Sequence, residues 1–445
     1  MSKNIRKILY IFFIIVFFTA TPLLLIYALG YDLNLTWPPR FNMMLQKTGM
    51  LIIDSEPKNA MIYLDGKLQT TSQSLFSSKE TITTPAKIKN LAPGEYDVKI
   101  TMDGYWPWEK KLNIYPGSNT FAENIILFKN NLPVRLYEKP CQSMSLSSDQ
   151  KYITAICDDK VILYNLSNDT SKQIASSSNK FFGFTWSPNN DKISFFDKIY
   201  LLNDDKTITF ESKSVSDTEW INDNLLYFSD DNGIYEFNVS TYSITQIIKS
   251  NNKINDLIIH NKKVYYLENN NGRNDLIIYD ISKKEVEMTI NIPFSSEYKL
   301  TWDGIIYAHD ISHSKLYLLD PKNPISPLSN IIENCSRFIK VDENRLICSN
   351  EFEIFQYDLT EKSTHLFARI SEPISSILWH KSNNYIIYST NEGIYSFELD
   401  DREKHNTTKI STIKNVFDLK SDKDSNLYFI SSLDNFPGIF KQFIK

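Results

Sequence analysis

One short unit recurs along the chain from about residue 130 to residue 445. Each clear copy is typical of a strand that ends in Trp, followed by a polar turn and a second strand. The clearest copies are Phe184–Phe196, Thr218–Phe228 and Ile377–Tyr388, and weaker copies begin near Met144, Leu257, Leu300, Phe338 and Phe417. The eight units begin roughly 33–44 residues apart, which predicts an all-β region of repeated four-stranded sheets.

The repeats also indicate how the sheets are arranged. Trp186–Lys192 reads Trp-Ser-Pro-Asn-Asn-Asp-Lys, and it is similar to the Trp-Ser-Pro-Asp-Gly motif of TolB-like propellers. The resemblance implies a diverged TolB-like or WD40-like β-propeller over residues 130–445, with eight blades expected and seven as the alternative. The last repeat has only about three strands, so we predict that strand 132–137 completes the final blade and closes the ring.

Four tryptophans occupy the same position in their repeats: Trp186, Trp220, Trp302 and Trp379. A single structural position accounts for all four. We therefore interpret them as packing between blades, not as parts of a ligand site.

The N-terminus differs from the rest of the chain. Lys3, Arg6 and Lys7 precede an uncharged run from Ile8 to Gly30. A run of this length predicts one transmembrane helix, and the basic flank predicts a cytoplasmic N-terminus with the bulk of the chain extracytoplasmic. The alternative is a cleaved signal peptide ending near Gly30, although the apolar run is longer than the usual core of a signal peptide.

These features define the N-terminal organisation. Residues 1–30 are predicted to form a cytoplasmic stub and transmembrane helix, and residues 31–48 a juxtamembrane linker. Residues 49–128 then form a compact β-rich unit. Within it, apolar residues alternate on both sides of Pro57, as half-buried strands require.

Residues 49–128 resemble a PEGA domain along their whole length. The matching motifs are Gly49, Ser55-Glu-Pro57, Ala60, Ile62-Tyr-Leu-Asp-Gly66, Thr84-Pro85, Leu91-Ala-Pro-Gly-Glu-Tyr-Asp-Val98 and Gly104-Tyr105. The segment Pro57-Lys-Asn-Ala60 departs from the tetrapeptide that names the family. Because Asn tolerates the left-handed conformation of Gly, we expect Asn59 to preserve the turn. The resemblance implies a small, non-catalytic β-sandwich of cell-envelope proteins that serves as an interaction module.

The four cysteines form two similarly spaced pairs, Cys141–Cys157 and Cys335–Cys348. A hairpin centred between the members of each pair would place them nearly opposite one another. An oxidising exterior would then permit a disulfide in each pair. The alternative is four buried free thiols, which are common on strands. Zinc is disfavoured because no Cys-x-x-Cys spacing occurs.

The sequence contains no pattern that predicts catalysis. The net charge of −5 lacks the basic footprint of a nucleic-acid-binding protein. The six histidines are scattered, and even His309 and His313 lack the helical context of a metal-binding pair. We therefore assign no catalytic, cofactor-binding or metal-binding residues.

The aromatic turn at residues 105–108 is the best candidate for a contact surface. Trp106 and Trp108 are the side chains we select, because exposed, rigid aromatics favour binding. The alternative is that these rings cap the sandwich core or pack on the propeller.

Two functional hypotheses follow. The first is a non-enzymatic envelope protein, anchored by one membrane span, that binds a protein or glycan through its PEGA-like domain and propeller. The second is a glycan hydrolase or lyase with its active site at the mouth of the propeller channel. We prefer the first, because function must be argued from a site and the sequence displays no catalytic one.

Overall fold

The computed structural model describes residues 3–33, 45–71, 80–176, 183–210, 212, 214–270, 272–321, 323, 325–400, 402–432 and 436–445. These residues form one N-terminal helix followed by strands. The helix α1 (Lys3–Ala28) contains Pro22, and most of its side chains from residue 5 onward are exposed. Its segment Ile5–Ala28 is long and apolar enough to cross a membrane.

The end of α1 is joined to the sandwich by hydrogen bonds. The Thr48 N–H donates to the Gly30 carbonyl at 2.7 Å, and the Asn90 side-chain amide donates to the Tyr27 hydroxyl at 3.0 Å. In the segment between the helix and the sandwich, strands β1 (Tyr31–Leu33) and β2 (Leu45–Lys47) pair antiparallel with each other. The rest of the predicted linker, residues 34–44, lies outside the described residues.

The next seven strands form two facing sheets. They are β3 (Gly49–Glu56), β4 (Met61–Leu64), β5 (Lys67–Leu68), β6 (Ala86–Leu91), β7 (Gly94–Thr101), β8 (Trp108–Ile114) and β9 (Asn119–Ile126). One sheet has the order β6-β3-β9 and the other β5-β4-β7-β8. Alternating apolar residues from both sheets build a common core that includes Leu51, Ile62 and Leu112.

The motif residues of this sandwich have identifiable structural roles. A Cβ on Gly49 would lie 2.4 Å from the Ile114 side chain, so only glycine fits there. The Ser55 and Thr84 hydroxyls are 2.7 Å apart, and the Ala60 N–H donates to Thr84 Oγ1 at 3.1 Å. Asn59 has a φ of 69°, the left-handed conformation expected from the sequence.

The remaining described strands form eight four-stranded sheets, which we call blades 1 to 8. Blade 1 consists of β11 (Cys141–Leu146), β12 (Tyr152–Cys157), β13 (Lys160–Asn165) and β14 (Thr170–Ser176), and blade 2 of β15 (Thr185–Trp186), β16 (Lys192–Phe195), β17 (Lys198–Leu201) and β18 (Lys206–Thr209). Blade 3 consists of β19 (Asp217–Asn222), β20 (Leu225–Asp230), β21 (Gly233–Asn238) and β22 (Ser243–Lys249), and blade 4 of β23 (Lys253–His260), β24 (Lys263–Asn270), β25 (Arg273–Asp280) and β26 (Glu285–Ile292).

In blades 5 to 7, as in blades 1 to 4, four consecutive strands pair in chain order, whereas the fourth strand of blade 8 comes from before blade 1. Blade 5 consists of β27 (Tyr298–Trp302), β28 (Ile306–Asp310), β29 (Lys315–Leu319) and β30 (Leu328–Ile332), and blade 6 of β31 (Arg337–Lys340), β32 (Arg345–Ser349), β33 (Glu353–Asp358) and β34 (Ser363–Arg369). Blade 7 consists of β35 (Ile374–Trp379), β36 (Tyr385–Thr390), β37 (Gly393–Glu398) and β38 (Thr407–Ser411), and blade 8 of β39 (Val416–Ser421), β40 (Leu427–Ser431), β41 (Gly438–Gln442) and β10 (Val134–Tyr137).

The two ends of this region meet in blade 8. Strand β10 comes from before blade 1 and pairs antiparallel with β41, the last strand of the chain. First strands of neighbouring blades lie against one another from blade 2 to blade 5 and from blade 6 to blade 8, and β39 of blade 8 contacts β11 of blade 1. The first strands therefore form the inner wall of the ring, and the fourth strands lie outermost.

Candidate functional site

Trp106 and Trp108 lie at the junction between the sandwich and blades 7 and 8. Trp106 is partly buried and packs against an apolar cluster that includes Phe128, Phe429 and Ile444. Trp108 is only 3 % exposed, and its indole N–H donates to a Glu398 carboxylate oxygen at 3.3 Å. Both rings thus occupy the position given by the alternative interpretation, packed on the core and the propeller. Their positions do not present an exposed contact surface, because propeller residues cover them.

A buried charge cluster lies beside Trp108. The Lys110 ammonium lies 3.7 Å from Glu398 and 3.3 Å from the Asp400 carboxylate, and it donates to the Asp400 carbonyl at 2.8 Å. Burial raises the pKa of Glu398 to about 7, although Lys110 opposes the change. Burial would also raise the pKa of Asp400, but hydrogen bonds from Arg402 and the charge of Lys110 lower it to about 2. The junction therefore depends on charge pairing as well as on packing.

Apolar and polar contacts extend the same junction. The Ile126 N–H donates to the Tyr385 hydroxyl at 3.1 Å, and Phe128 packs edge-on against the Tyr385 ring. The Glu56 carboxylate, in the turn that carries the family motif, pairs with the Lys445 ammonium at 2.6 Å. The sandwich is thus fixed to the last two blades by contacts along much of its length.

Aspartates at one position of the repeat join neighbouring blades. The Asp217 carboxylate accepts the Leu257 N–H at 3.1 Å, and Asp256 accepts the Leu300 N–H in the same way. Asp418 of blade 8 accepts the Met144 N–H of blade 1. In each case the acceptor lies on one first strand and the donor on the first strand of the next blade. These carboxylates therefore brace the inner wall of the ring.

A cavity of about 480 Å³ opens on the first strands of blades 2 to 5. We call it the inner-strand pocket. Its wall includes Thr185, Asp217, Glu219, Lys299, Thr301 and Trp302. The Lys299 ammonium lies 3.0 Å from Asp256 and 3.8 Å from Asp217, so it pairs with two of the bracing carboxylates.

Glu219 is the carboxyl in this pocket that the bracing pattern does not use. It lies two residues beyond Asp217, and strand alternation places both on one side of β19. Burial raises the pKa of Glu219 to about 7, the charge of Asp217 adds to the shift, and Lys299 opposes it. Burial and Asp217 also raise the pKa of Asp256 well above its usual range.

The four repeat tryptophans do not have equivalent environments. Trp220 is buried between blades 2 and 3, and Trp186 and Trp379 are partly buried against neighbouring apolar residues. Trp302 is 37 % exposed, and one of its faces stacks on His260 with 3.8 Å between ring centroids. Packing between blades therefore accounts fully for three of the rings, whereas Trp302 also contributes to the wall of the inner-strand pocket.

The structure joins the cysteines as disulfides, Cys141–Cys157 and Cys335–Cys348. The first connects β11 to β12 across their pairing, and the second connects the start of blade 6 to β32. All four residues are at most 7 % exposed.

The histidines and acidic residues that the structure describes do not converge on a metal site. Within the described part of the chain, no group of three or more His, Cys, Asp or Glu side chains is arranged to hold a metal ion. His309 is buried with its Nε2 3.0 Å from the Cys335 carbonyl, and His313 Nδ1 lies 2.9 Å from Asp310. Both imidazoles therefore have local structural partners.

Comparison with known proteins identifies both parts of the fold. Residues 48–124 match the family model described as the PEGA domain. The chain is similar in structure to the Dos1 propeller, at 11 % identity and a TM-score of 0.54, over 70 % of this chain and 94 % of that one. It is also similar to Sqt1 of Saccharomyces cerevisiae, at 9 % identity and a TM-score of 0.52, over 71 % and 98 % of the two chains.

BamB of Moraxella catarrhalis matches over 71 % of this chain and its full length, at 11 % identity and a TM-score of 0.49. No curated protein matches the chain. The protein is thus a β-propeller protein with an N-terminal apolar helix. More particularly, it carries a PEGA domain between the helix and the propeller.

Sequence reasoning missed two groups of functional candidates. Asp217 and Asp256 each stand directly before a repeat start, Thr218 and Leu257, so alignment of the repeats could have revealed their shared role. Lys110 stands two residues from Trp108 and two from Leu112, and strand alternation places all three on one face. This two-residue spacing with apolar neighbours could have indicated that Lys110 is buried, although it does not identify the residues that pair with it.

Proposed function

We propose that the protein is a membrane-anchored, extracytoplasmic binding scaffold without catalytic activity. In this proposal α1 spans the membrane with a cytoplasmic N-terminus. The PEGA domain holds the propeller at a set distance from the membrane, and the propeller binds an envelope partner. The observation that carries the proposal is the buried junction of Trp108 and Lys110 with Glu398.

The contacts favour a spacer of fixed geometry over a loose tether. The end of α1 is hydrogen-bonded to the PEGA domain through Tyr27 and Gly30. The far side of the same domain buries charged and aromatic groups against blades 7 and 8. A buried ion pair requires well-defined geometry, because misplaced charges in such a site are destabilising. Such a connection transmits the position of the helix to the propeller.

Two features support the extracytoplasmic orientation. The basic residues Lys3, Arg6 and Lys7 precede the apolar helix, and basic flanks favour the cytoplasmic side. Disulfides persist in oxidising compartments and are rare in the cytosol. The paired cysteines on both sides of the ring fit an exported propeller.

The pocket residues give limited support to the alternative of a glycan hydrolase or lyase. Glycoside hydrolysis generally requires two carboxyl groups in separate acid and base or nucleophile roles. Asp217 and Asp256 accept hydrogen bonds from backbone N–H groups and pair with Lys299. Glu219 is then the one pocket carboxyl that remains for an acid or base role, and a second is needed. The pocket chemistry is therefore better suited to binding.

Photo-crosslinking in intact cells tests the binding role. A photoreactive amino acid replaces Ile221, which is 38 % exposed at the end of β19 beside the inner wall. The matched control is Ile244, which is 40 % exposed on the outermost strand of the same blade. We expect a discrete crosslinked species from position 221 and none from position 244. Identical products from both positions, or none from positions around the inner rim, would contradict a binding face there.

A further inference from the structure

The inner-strand pocket has the dimensions of a binding site. Its volume of about 480 Å³ falls within the range of small-molecule pockets. First strands of four blades contribute to its wall, and each is held in a four-stranded sheet. Interblade hydrogen bonds that Asp217 and Asp256 accept from backbone N–H groups further fix these strands. The wall is therefore formed before any ligand arrives.

The charges around this pocket favour a cation. Asp217 and Glu219 line the pocket with two carboxyl groups, and Lys299 lines it with one ammonium, which is paired with the buried Asp256 behind it. Asp217 and Asp256 already share Lys299 and accept backbone N–H groups. Among the residues that the structure describes, the Glu219 side-chain carboxylate forms no hydrogen bond or ion pair, and Lys299 pairs with Asp217 and Asp256 instead. An anion entering the pocket would meet the Asp217 and Glu219 carboxyl groups beside an ammonium that is already paired, whereas a cation would pair with ionised Glu219.

An exposed aromatic surface lies in the same wall. Trp302 is 37 % exposed, and His260 covers one of its faces, which fixes the ring. Phe184 and Phe196 contribute further aromatic surface. Aromatic faces attract ammonium and guanidinium groups, and they also pack against the apolar stems of Lys and Arg.

We infer that the inner-strand pocket binds a cationic side chain, lysine or arginine, presented by a partner protein, with Glu219 as counter-ion and Trp302 as the packing surface. The inference deepens the proposed function, since it rests on that function for the existence of a partner. The chemistry of the pocket is independent of the membrane orientation and can be tested by itself.

Electrostatics in the pocket give this binding a pH dependence. The pKa of Glu219 is raised to about 7 by burial and by Asp217, while Lys299 opposes the shift. Asp256, on the adjacent first strand, adds a further carboxyl to the same cluster. A cation binds the ionised form of Glu219, so affinity rises as pH increases through about 7. Binding near neutral pH also releases protons.

Ligand-observed NMR on the full-length protein in detergent micelles tests the inference directly. The probes are the Nα-acetyl methylamides of arginine, lysine and citrulline, the last being a neutral analogue of arginine. We expect saturation transfer to the arginine or lysine probe and little to citrulline. For the cationic probe, affinity should increase roughly thirtyfold between about pH 5.5 and about pH 8, following the ionised fraction of Glu219.

A substitution of Glu219 and a matched control locate the site. Glu219→Gln keeps the size of the side chain and removes its charge, and we expect about a tenfold or greater loss of affinity and the loss of the pH dependence. The matched control is Glu285→Gln, which removes one charge from the exposed start of the outermost strand of blade 4 and should leave binding unchanged. If Glu219→Gln does not fold, two other measurements test the site: the affinity of Trp302→Leu, which should be lower, and the pH profile of the native protein.

Several results would overturn the inference. They are equal binding of citrulline and arginine, unchanged affinity in Glu219→Gln or Trp302→Leu, or no binding of either cationic probe. N-acetylglucosamine binding in place of the cations would assign the pocket to a neutral glycan instead. An intracellular location would defeat the proposed function while leaving pocket binding intact, so the two failures are distinguishable.

Discussion

The Lys110 ammonium of the PEGA domain lies 3.7 Å from the Glu398 carboxylate of blade 7, and their side chains are only 2 % and 5 % exposed. Lys110 also reaches the carboxylate and carbonyl of Asp400, while Trp108 donates to Glu398. Removing one member of a buried ion pair leaves the other charge unpaired, which generally costs several kcal/mol. The junction should therefore be sensitive to substitution of either partner.

Replacing Lys110 by alanine should weaken the attachment of the PEGA domain to the propeller. At about pH 8, where Glu398 is mainly ionised, we expect a loss of about 3 kcal/mol in the free energy of unfolding. Urea denaturation followed by limited proteolysis at the junction measures this change. The control is Lys111→Ala on the same strand, because Lys111 is exposed and its pairs with Glu95 and Asp97 are worth under about 1 kcal/mol. Equal effects of the two substitutions would contradict a special role for Lys110.

Stability of the junction should depend on pH through Glu398. Burial raises the pKa of this carboxyl from 4.5 to about 7, so the folded protein binds a proton there more tightly than the unfolded chain does. The stabilisation from its protonated form is complete below about pH 4.5, decreases up to about pH 7 and is constant above that pH. We expect the unfolding free energy of the native chain, measured against Glu398→Gln, to fall by about 3 kcal/mol across this range. Glu403→Gln, an exposed neighbour, is the control, and parallel pH curves for the native chain and Glu398→Gln would exclude this role.

Asp418 should stabilise the contact between the last blade and the first. It accepts the backbone N–H of Met144, so Asp418→Ala leaves a donor on the inner wall without its acceptor. We expect a loss of about 1–3 kcal/mol in the free energy of unfolding. Chemical denaturation compares this variant with Asp424→Ala, a substitution in an exposed turn of the same blade. A loss no larger than that of the control would show that the interblade hydrogen bond contributes little.

The two cysteine pairs should be oxidised in protein taken from the cell envelope. Mass spectrometry without reduction is expected to identify the peptides linked by Cys141–Cys157 and by Cys335–Cys348. Alkylation before reduction should label none of the four thiols. Breaking the first bond by Cys157→Ala should cost about 3 kcal/mol, as expected for a loop of about 15 residues. Full alkylation of all four cysteines would show that they are free thiols.

The sequence predicts the parts of the fold that depend on local patterns. Alternating apolar residues indicated strands on both sides of Pro57, and the motifs between Gly49 and Tyr105 resembled a PEGA domain. The spacing of Trp186, Trp220 and Trp379 indicated repeated sheets. These features depend on neighbours in the chain, so they can be recognised without coordinates. The cysteine pairs were also suggested by the turns between them, although free thiols remained open.

Contacts between distant segments could not be predicted in the same way. Trp108 was selected as a candidate surface, but blade 7 covers it, and the sequence between them gives no indication of that contact. Glu219 looks like an ordinary strand residue until the ring brings Lys299, from another blade, into the same pocket. Trp302 shares its repeat position with buried tryptophans, yet its exposure depends on the shape of blades 4 and 5.

Protease treatment of intact cells tests the central claim most directly. The protein should carry one epitope tag before Lys3 and another after Lys445. If the protein is a membrane-anchored extracytoplasmic scaffold, an external protease given access to the outer face of the membrane degrades the PEGA domain and propeller, while the N-terminal tag stays protected and attached to the membrane. Protection of both tags until the membrane is dissolved would contradict the account, as would release of the intact propeller without its helix.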